Sequence, residues 1–138
     1  MTKKRNITLA FNKKYRFPII AIGDEERIEQ VLTNLLVNSI KYGKIDGTTT
    51  VSIESLHKDK LLVKVSDDGE GIEAKHMPRI FERFYRVDSS RSREQGGSGL
   101  GLAIVKHIIE AHDEAIFAES EFKKGSTFSF TLEKFEQG

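Results

Sequence analysis

The chain has 138 residues, enough for one domain around a single core. Its 22 Lys and Arg almost balance 21 Asp and Glu, so net charge gives no overall pull toward nucleic acid or a membrane surface. It holds no Cys, which excludes disulfides, thiol catalysis and thiolate metal sites; no apolar run approaches the ~20 residues that span a bilayer, and the first residues lack the apolar stretch of a signal peptide.

Residues 7–11 alternate and predict a first strand, and residues 17–22 a second, with Pro18 marking a strand start or an edge. Gly23 breaks that strand, and Asp24 is placed to cap a long helix that Gly43 stops. At about 100° per residue, Asn34, Asn38 and Lys41 share one narrow stripe of this helix, with Tyr42 at its edge. Ile28, Leu32, Leu35 and Ser39 form a neighbouring stripe that would face a core, and Glu26, Glu29 and Thr33 mark the solvent side. The asparagines therefore sit between core and bulk water. Two neutral oxygen donors, an ammonium and a phenol ring suit a metal-bound phosphate ligand carrying an aromatic base; two Asn on a helix also serve simply to satisfy nearby loops.

Residues 49–56 and 61–66 predict a hairpin turned by His57-Lys58-Asp59-Lys60. Asp67-Asp68-Gly69-Glu70-Gly71-Ile72 follows at once. A carboxylate at the end of an apolar strand needs a donor, which an adenine amino group would supply, and two glycines let the backbone approach a flat ring. The same residues also make an ordinary Asp-Gly turn. A short helix is expected around 75–81. Of the arginines that follow, Arg86 is the best placed to offset charge on a triphosphate, with Phe81 and Phe84 pinning the segment, while Arg79, Arg91 and Arg93 read as surface residues. Gly97-Ser98-Gly99-Leu100-Gly101-Leu102 opens a second long helix, 99–111, and its backbone N–H groups would cradle phosphate, or act only as a hinge. It is neither a P-loop nor a dinucleotide fingerprint. Strands near 115–119 and 127–132, joined by Lys123-Lys124-Gly125, complete the chain. The order predicts an α/β sandwich, with helices on one face of a mixed sheet.

Together these segments resemble the ATP-binding catalytic domain of bacterial sensor histidine kinases, within the superfamily of gyrase, Hsp90 and MutL. Asn34-x-x-x-Asn38-x-x-Lys41-Tyr42 resembles the asparagine box, Asp67-x-Gly69-x-Gly71 the first glycine box, and residues 81–86 the phenylalanine box. Residues 97–102 resemble the second glycine box, and Gly125-x-Thr127-Phe128 the last turn. The resemblance runs from about residue 24 to 132.

The resemblance implies a Bergerat-type two-layer sandwich. Its sheet would be mixed, mostly antiparallel and of about five strands, under a flexible ATP lid at about 73–98, with residues 1–138 forming one domain. It implies ATP and Mg²⁺ as cofactors. Asn38 would ligate the metal with Asn34 in support, Lys41 would contact phosphate, and Tyr42 would flank the nucleotide. Asp67 would accept from adenine, with Gly69, Gly71 and Ile72 lining the base pocket and Thr127 supporting it. Arg86 would approach the terminal phosphates, and the backbone of Gly97, Ser98, Gly99, Leu100, Gly101 and Leu102 would wrap the phosphate tail. One departure stands out: the family often has His-Gly-Gly where this chain has His112-Asp113-Glu114, so a local change of geometry is expected there.

In the superfamily's hydrolases a Glu at the position of Asn34 activates water. An amide cannot accept that proton, so transfer to another acceptor is expected rather than hydrolysis. In the family that acceptor is a histidine on a separate dimerisation hairpin, and a response regulator receiver domain follows. None of His57, His76, His107 and His112 shows the phosphoacceptor pattern. The expectation is a cytoplasmic, monomeric catalytic piece of a longer, membrane-anchored kinase, unable to phosphorylate itself, without nucleic acid or direct membrane contact. A nucleotide-binding scaffold without transfer activity and a serine-directed kinase of the same superfamily are the alternatives.

Overall fold

The computed structural model describes residues 8–11, 21–42, 47–57, 59–83, 85 and 101–134. Among these residues, six strands form one sheet: β1 (Thr8–Phe11), β2 (Ala21–Ile22), β3 (Thr48–His57), β4 (Lys60–Asp67), β5 (Ile116–Glu121) and β6 (Gly125–Lys134). Two helices, α1 (Glu25–Tyr42) and α2 (Gly101–Ala111), pack on each other and on the sheet, and a short 3-10 helix spans Ala74–Arg79. Among the described residues, β1 pairs with β3 in parallel and the other pairings are antiparallel. The sheet is thus mixed and mostly antiparallel, with six strands once the two-residue β2 is counted. Because β4 lines one edge of β6 over most of its length, β2 and β5 lie end to end along the other.

Strand alternation sends every second residue to the helices. Leu61, Val63 and Val65 on β4 stand opposite Leu132, Phe130 and Phe128 on β6, and all six are buried. Val31 and Leu35 of α1 and Val105, Ile108 and Ile109 of α2 close the core over them. Ser39 is buried one helical repeat beyond Leu35. The expected core stripe holds, with Val31 added as one of its most buried members and Ile28 and Leu32 packed at its margin. Glu26, Glu29 and Thr33 are exposed, as the stripe argument requires.

The start of α1 and the end of α2 are both capped. Asp24 accepts from the Arg27 N–H at 3.3 Å, as an N-cap side chain does. At the end of α2, the Glu114 N–H reaches the Ile109 carbonyl at 3.1 Å and the Asp113 N–H the Glu110 carbonyl at 2.9 Å. That is a Schellman pattern, and Asp113 takes the left-handed position at φ 58°, where glycine is usual. Glu114 is then held by the Lys60 ammonium at 2.6 Å and the Thr131 hydroxyl at 2.7 Å. His112 ties the two helices together: its Nδ1 donates to the Ile108 carbonyl at 2.8 Å, and its Nε2 accepts from the Asp24 N–H at 3.0 Å. The departure at 112–114 is therefore a structured anchor, at the opposite end of β4 from Asp67.

The expected lid at 73–98 is described only over 73–83 and 85, and this part is packed down. Ile80 is buried, Met77 rests on the core, and Phe81 meets Phe128 edge-on with ring centroids 6.3 Å apart. His76 hydrogen-bonds the Tyr85 hydroxyl, and Arg79 pairs with Glu82 at 3.1 Å while lying over the Tyr85 ring. Apolar contacts of Met77, Ile80 and Phe81 thus hold the described part of this segment against the core. Phe84 and residues 86–98 lie outside the described residues.

Candidate functional site

At one end of the helix-facing side of the sheet, the apolar rows give way to a polar one. Register places Thr49 of β3, Asp67 of β4, Ser126 of β6 and Ser120 of β5 side by side in that order. The next row inward is Val51, Val65, Phe128 and Ala118. Thr49 is fully buried and shares a 2.5 Å hydrogen bond with the Ser39 hydroxyl of α1. This bond joins the polar row to the helix that carries Asn34 and Asn38.

Asp67 ends β4, half-buried, and accepts from the Gly69 N–H at 2.9 Å. Burial pushes its carboxyl above the ordinary 3.8, and the neighbouring Asp68 adds to the rise, while the Gly69 and Ser126 N–H groups pull it down. Asp68 turns the other way and caps the Thr48 N–H at 2.8 Å, fixing the start of β3. The loop 69–72 then runs against the β5–β6 hairpin. Glu70 accepts from the Lys123 N–H, and the Ser120 hydroxyl accepts from the Ile72 N–H at 2.6 Å. Gly71 adopts φ 71°, and a side chain there would run into the Glu121 carbonyl. Gly125, at φ 140°, lies equally close to the Asp67 carbonyl. Both glycines are required by contact as well as by conformation.

On α1, Asn34 and Asn38 are both half-buried, between the core and the exposed face. The Asn34 amide donates to the Gly101 carbonyl at 3.4 Å, so the asparagine helix touches the first residue of α2. Gly101 itself is exposed, with open space where a side chain would be, and Leu102 packs on the core. Ile72 also packs on the core. Lys41 and Tyr42 belong to α1, but their side chains lie outside the described residues, as do Arg86, Gly97, Ser98, Gly99 and Leu100.

Thr127 differs from expectation. It stands opposite Ser66 on the far face of the sheet and shares a 2.9 Å hydrogen bond with it, whereas Ser126 is the hydroxyl on Asp67's face. The reason is strand alternation: with Phe128, Phe130 and Leu132 inward, residue 126 must also be inward and 127 outward. Counting back from that apolar series would have found Ser126 in the sequence. Thr49, Ser120 and Asp68 carry no comparable local signal.

The donor set fits a magnesium ion held chiefly by phosphate. Asn34 and Asn38 put two carboxamides on one half-buried stripe of α1. Mg²⁺ characteristically keeps its waters and takes few protein ligands beside a nucleotide.

A model of the histidine kinase-, DNA gyrase B-, and HSP90-like ATPase family matches residues 23–136. The sensor histidine kinase WalK of Bacillus subtilis is 42% identical over 133 residues, 96% of this chain and 22% of that protein. The phosphate regulon sensor protein PhoR of Haemophilus influenzae is 41% identical over 116 residues, 84% of this chain and 27% of that protein. The chain thus spans about a quarter of these relatives. Among solved structures, the mycobacterial sensor histidine kinase MprB superposes with a TM-score of 0.81 at 28% identity, covering 94% of this chain and 84% of that one. Full-length ShkA in complex with AMPPNP superposes with 0.78 at 27% identity, covering 95% of this chain and 27% of that one.

Proposed function

Because this chain belongs to the histidine kinase-, DNA gyrase B-, and HSP90-like ATPase family, we propose that it binds Mg-ATP and gives the γ-phosphoryl group to a histidine on a separate dimerisation domain of a two-component kinase. A response regulator would receive it next. The observation that carries this reading is the polar row Thr49, Asp67, Ser126 beside the asparagine helix, at the end of an otherwise apolar sheet. Full-length ShkA, part of which has a similar fold, is in complex with AMPPNP, which supports nucleotide binding.

In this reading Asp67 accepts from the adenine amino group, and burial raises the affinity of its carboxyl for a proton. Gly69, Gly71 and Ile72 line the base. Asn38, with Asn34, would hold Mg²⁺, which offsets charge on the phosphates. Lys41 and Arg86 add positive charge at the triphosphate, Tyr42 flanks the nucleotide, and the backbone of residues 97–102 wraps the tail. No side chain at position 34 can take a proton from water, so the domain orients ATP for an external nucleophile. Residues 1–138 then act as one catalytic domain. No helix among the described residues is long and apolar enough to cross a membrane.

The test is calorimetric titration with ATP, ADP and tripolyphosphate, with and without Mg²⁺, followed by labelled ATP with a matching histidine-bearing hairpin domain. Adenine-dependent, Mg²⁺-enhanced binding and acid-labile phosphoprotein are expected. Binding without transfer would favour a scaffold, and acid-stable phosphoprotein a serine-directed kinase. Asn38→Ala should abolish the Mg²⁺ enhancement.

A further inference from the structure

Ser120 lies outside every motif considered so far, yet it joins the glycine loop to the polar row. Its hydroxyl accepts from the Ile72 N–H at 2.6 Å, donates to the Gly125 carbonyl at 3.0 Å and meets the Ser126 hydroxyl at 2.8 Å. A serine hydroxyl offers one proton and two lone pairs, so with its proton on Gly125 it accepts from both Ile72 and Ser126 and is fully used. These partners are informative. Ile72 ends the loop 69–72, Gly125 lies against the Asp67 carbonyl, and Ser126 stands opposite Asp67.

On the strength of the nucleotide reading above, we propose that Ser120 is a positioning residue for adenine recognition: its hydroxyl sets the loop 69–72 at the distance from Asp67 that a purine ring requires. Ser120 touches no nucleotide itself. The Lys123 N–H on the Glu70 carbonyl and the close approach of Gly71 to Glu121, both made by backbone, also hold the loop. Ser120 adds a side-chain contact between this loop and the hairpin. Removing it leaves the Ile72 N–H without its acceptor while the rest of the fold keeps its packing.

The experiment compares ATP with ITP, whose purine carries an oxo group in place of the amino group that Asp67 would accept from. Competition against a fluorescent nucleotide gives the ATP-over-ITP preference for the wild type, Ser120→Ala and Ser120→Thr. The preference should fall about tenfold in Ser120→Ala and persist in Ser120→Thr, which keeps the hydroxyl. A Ser120→Ala protein with the wild-type preference, or with equal losses for both nucleotides, overturns the proposal. Should Ser120→Ala fail to fold, amide exchange in the wild type decides: a slowly exchanging Ile72 N–H is expected, and a freely exchanging one overturns the assignment. A wild type that binds ATP without preferring it to ITP overturns the role given to Asp67, and this inference with it. A wild type that binds neither overturns the proposed function itself.

Discussion

The side-chain amide of Asn34 donates to the carbonyl of Gly101, 67 positions away, and so joins the middle of α1 to the first turn of α2. Replacing Asn34 by Asp removes the donor and sets a carboxylate oxygen against a carbonyl oxygen. Urea unfolding should show a loss of about 1 kcal/mol relative to the wild type. Equal stability of the two proteins would mean that the amide does not bridge the helices in solution.

Asp67→Asn should weaken ATP and ADP alike, by about 2 kcal/mol, since both carry adenine and the lost contact is a hydrogen bond to a charged acceptor. A loss confined to ATP in calorimetry would contradict the assignment.

The same substitution has a pH signature. Burial, with Asp68 adding to it, raises the folded value of Asp67, so the native chain holds this proton more tightly than the unfolded chain does. Stability from this group is complete below 3.8 and is lost as pH rises through the folded value. The uncharged Asn escapes that loss. Its stability relative to the wild type should therefore improve from acid toward neutral pH. Unfolding curves whose difference stays flat across that range would refute the burial argument.

Gly125→Ala should cost about 1–3 kcal/mol, since φ 140° is foreign to alanine and the added methyl meets the Asp67 carbonyl. Thermal unfolding reports the cost, and nucleotide affinity should fall with it, because any relief displaces Asp67.

Asp113→Gly should instead stabilise the protein. It relieves a left-handed φ of 58° and removes a negative charge from the C-terminal end of α2, where the helix dipole disfavours it. A gain of about 1 kcal/mol in urea is expected; a lower midpoint would show that Asp113 makes a stabilising contact.

Much of this was legible in residue order. The asparagine stripe, the cap at Asp24, the hairpin around residue 59 and the inward face of α2 all rest on periodicity or short-range turn chemistry. Periodicity placed Ser39 with the core, where it is buried, but could not say that Thr49 would meet it. The polar row is a property of register among four strands, and register is set across gaps of up to 59 positions, from Asp67 to Ser126. Ser126 was readable by counting along β6 from Phe128, and matching the motif by residue type alone pointed to Thr127 instead. Ser120 reads as one more polar residue on an alternating strand until the loop 69–72 is laid against it.

The central position of β6 also bears on how the chain is made. This strand joins β2, β4 and β5 into one sheet, and it is the last described element in the chain. On the ribosome, β4 and β5 emerge with their inner edges unpaired, and they stay so until residues 125–134 clear the exit tunnel. The β3–β4 hairpin can form during synthesis, but the polar row of Thr49, Asp67, Ser126 and Ser120 can assemble only once translation has passed that point. A nascent chain stalled before Gly125 would thus offer a chaperone bare strand edges and apolar helix faces rather than a nucleotide site.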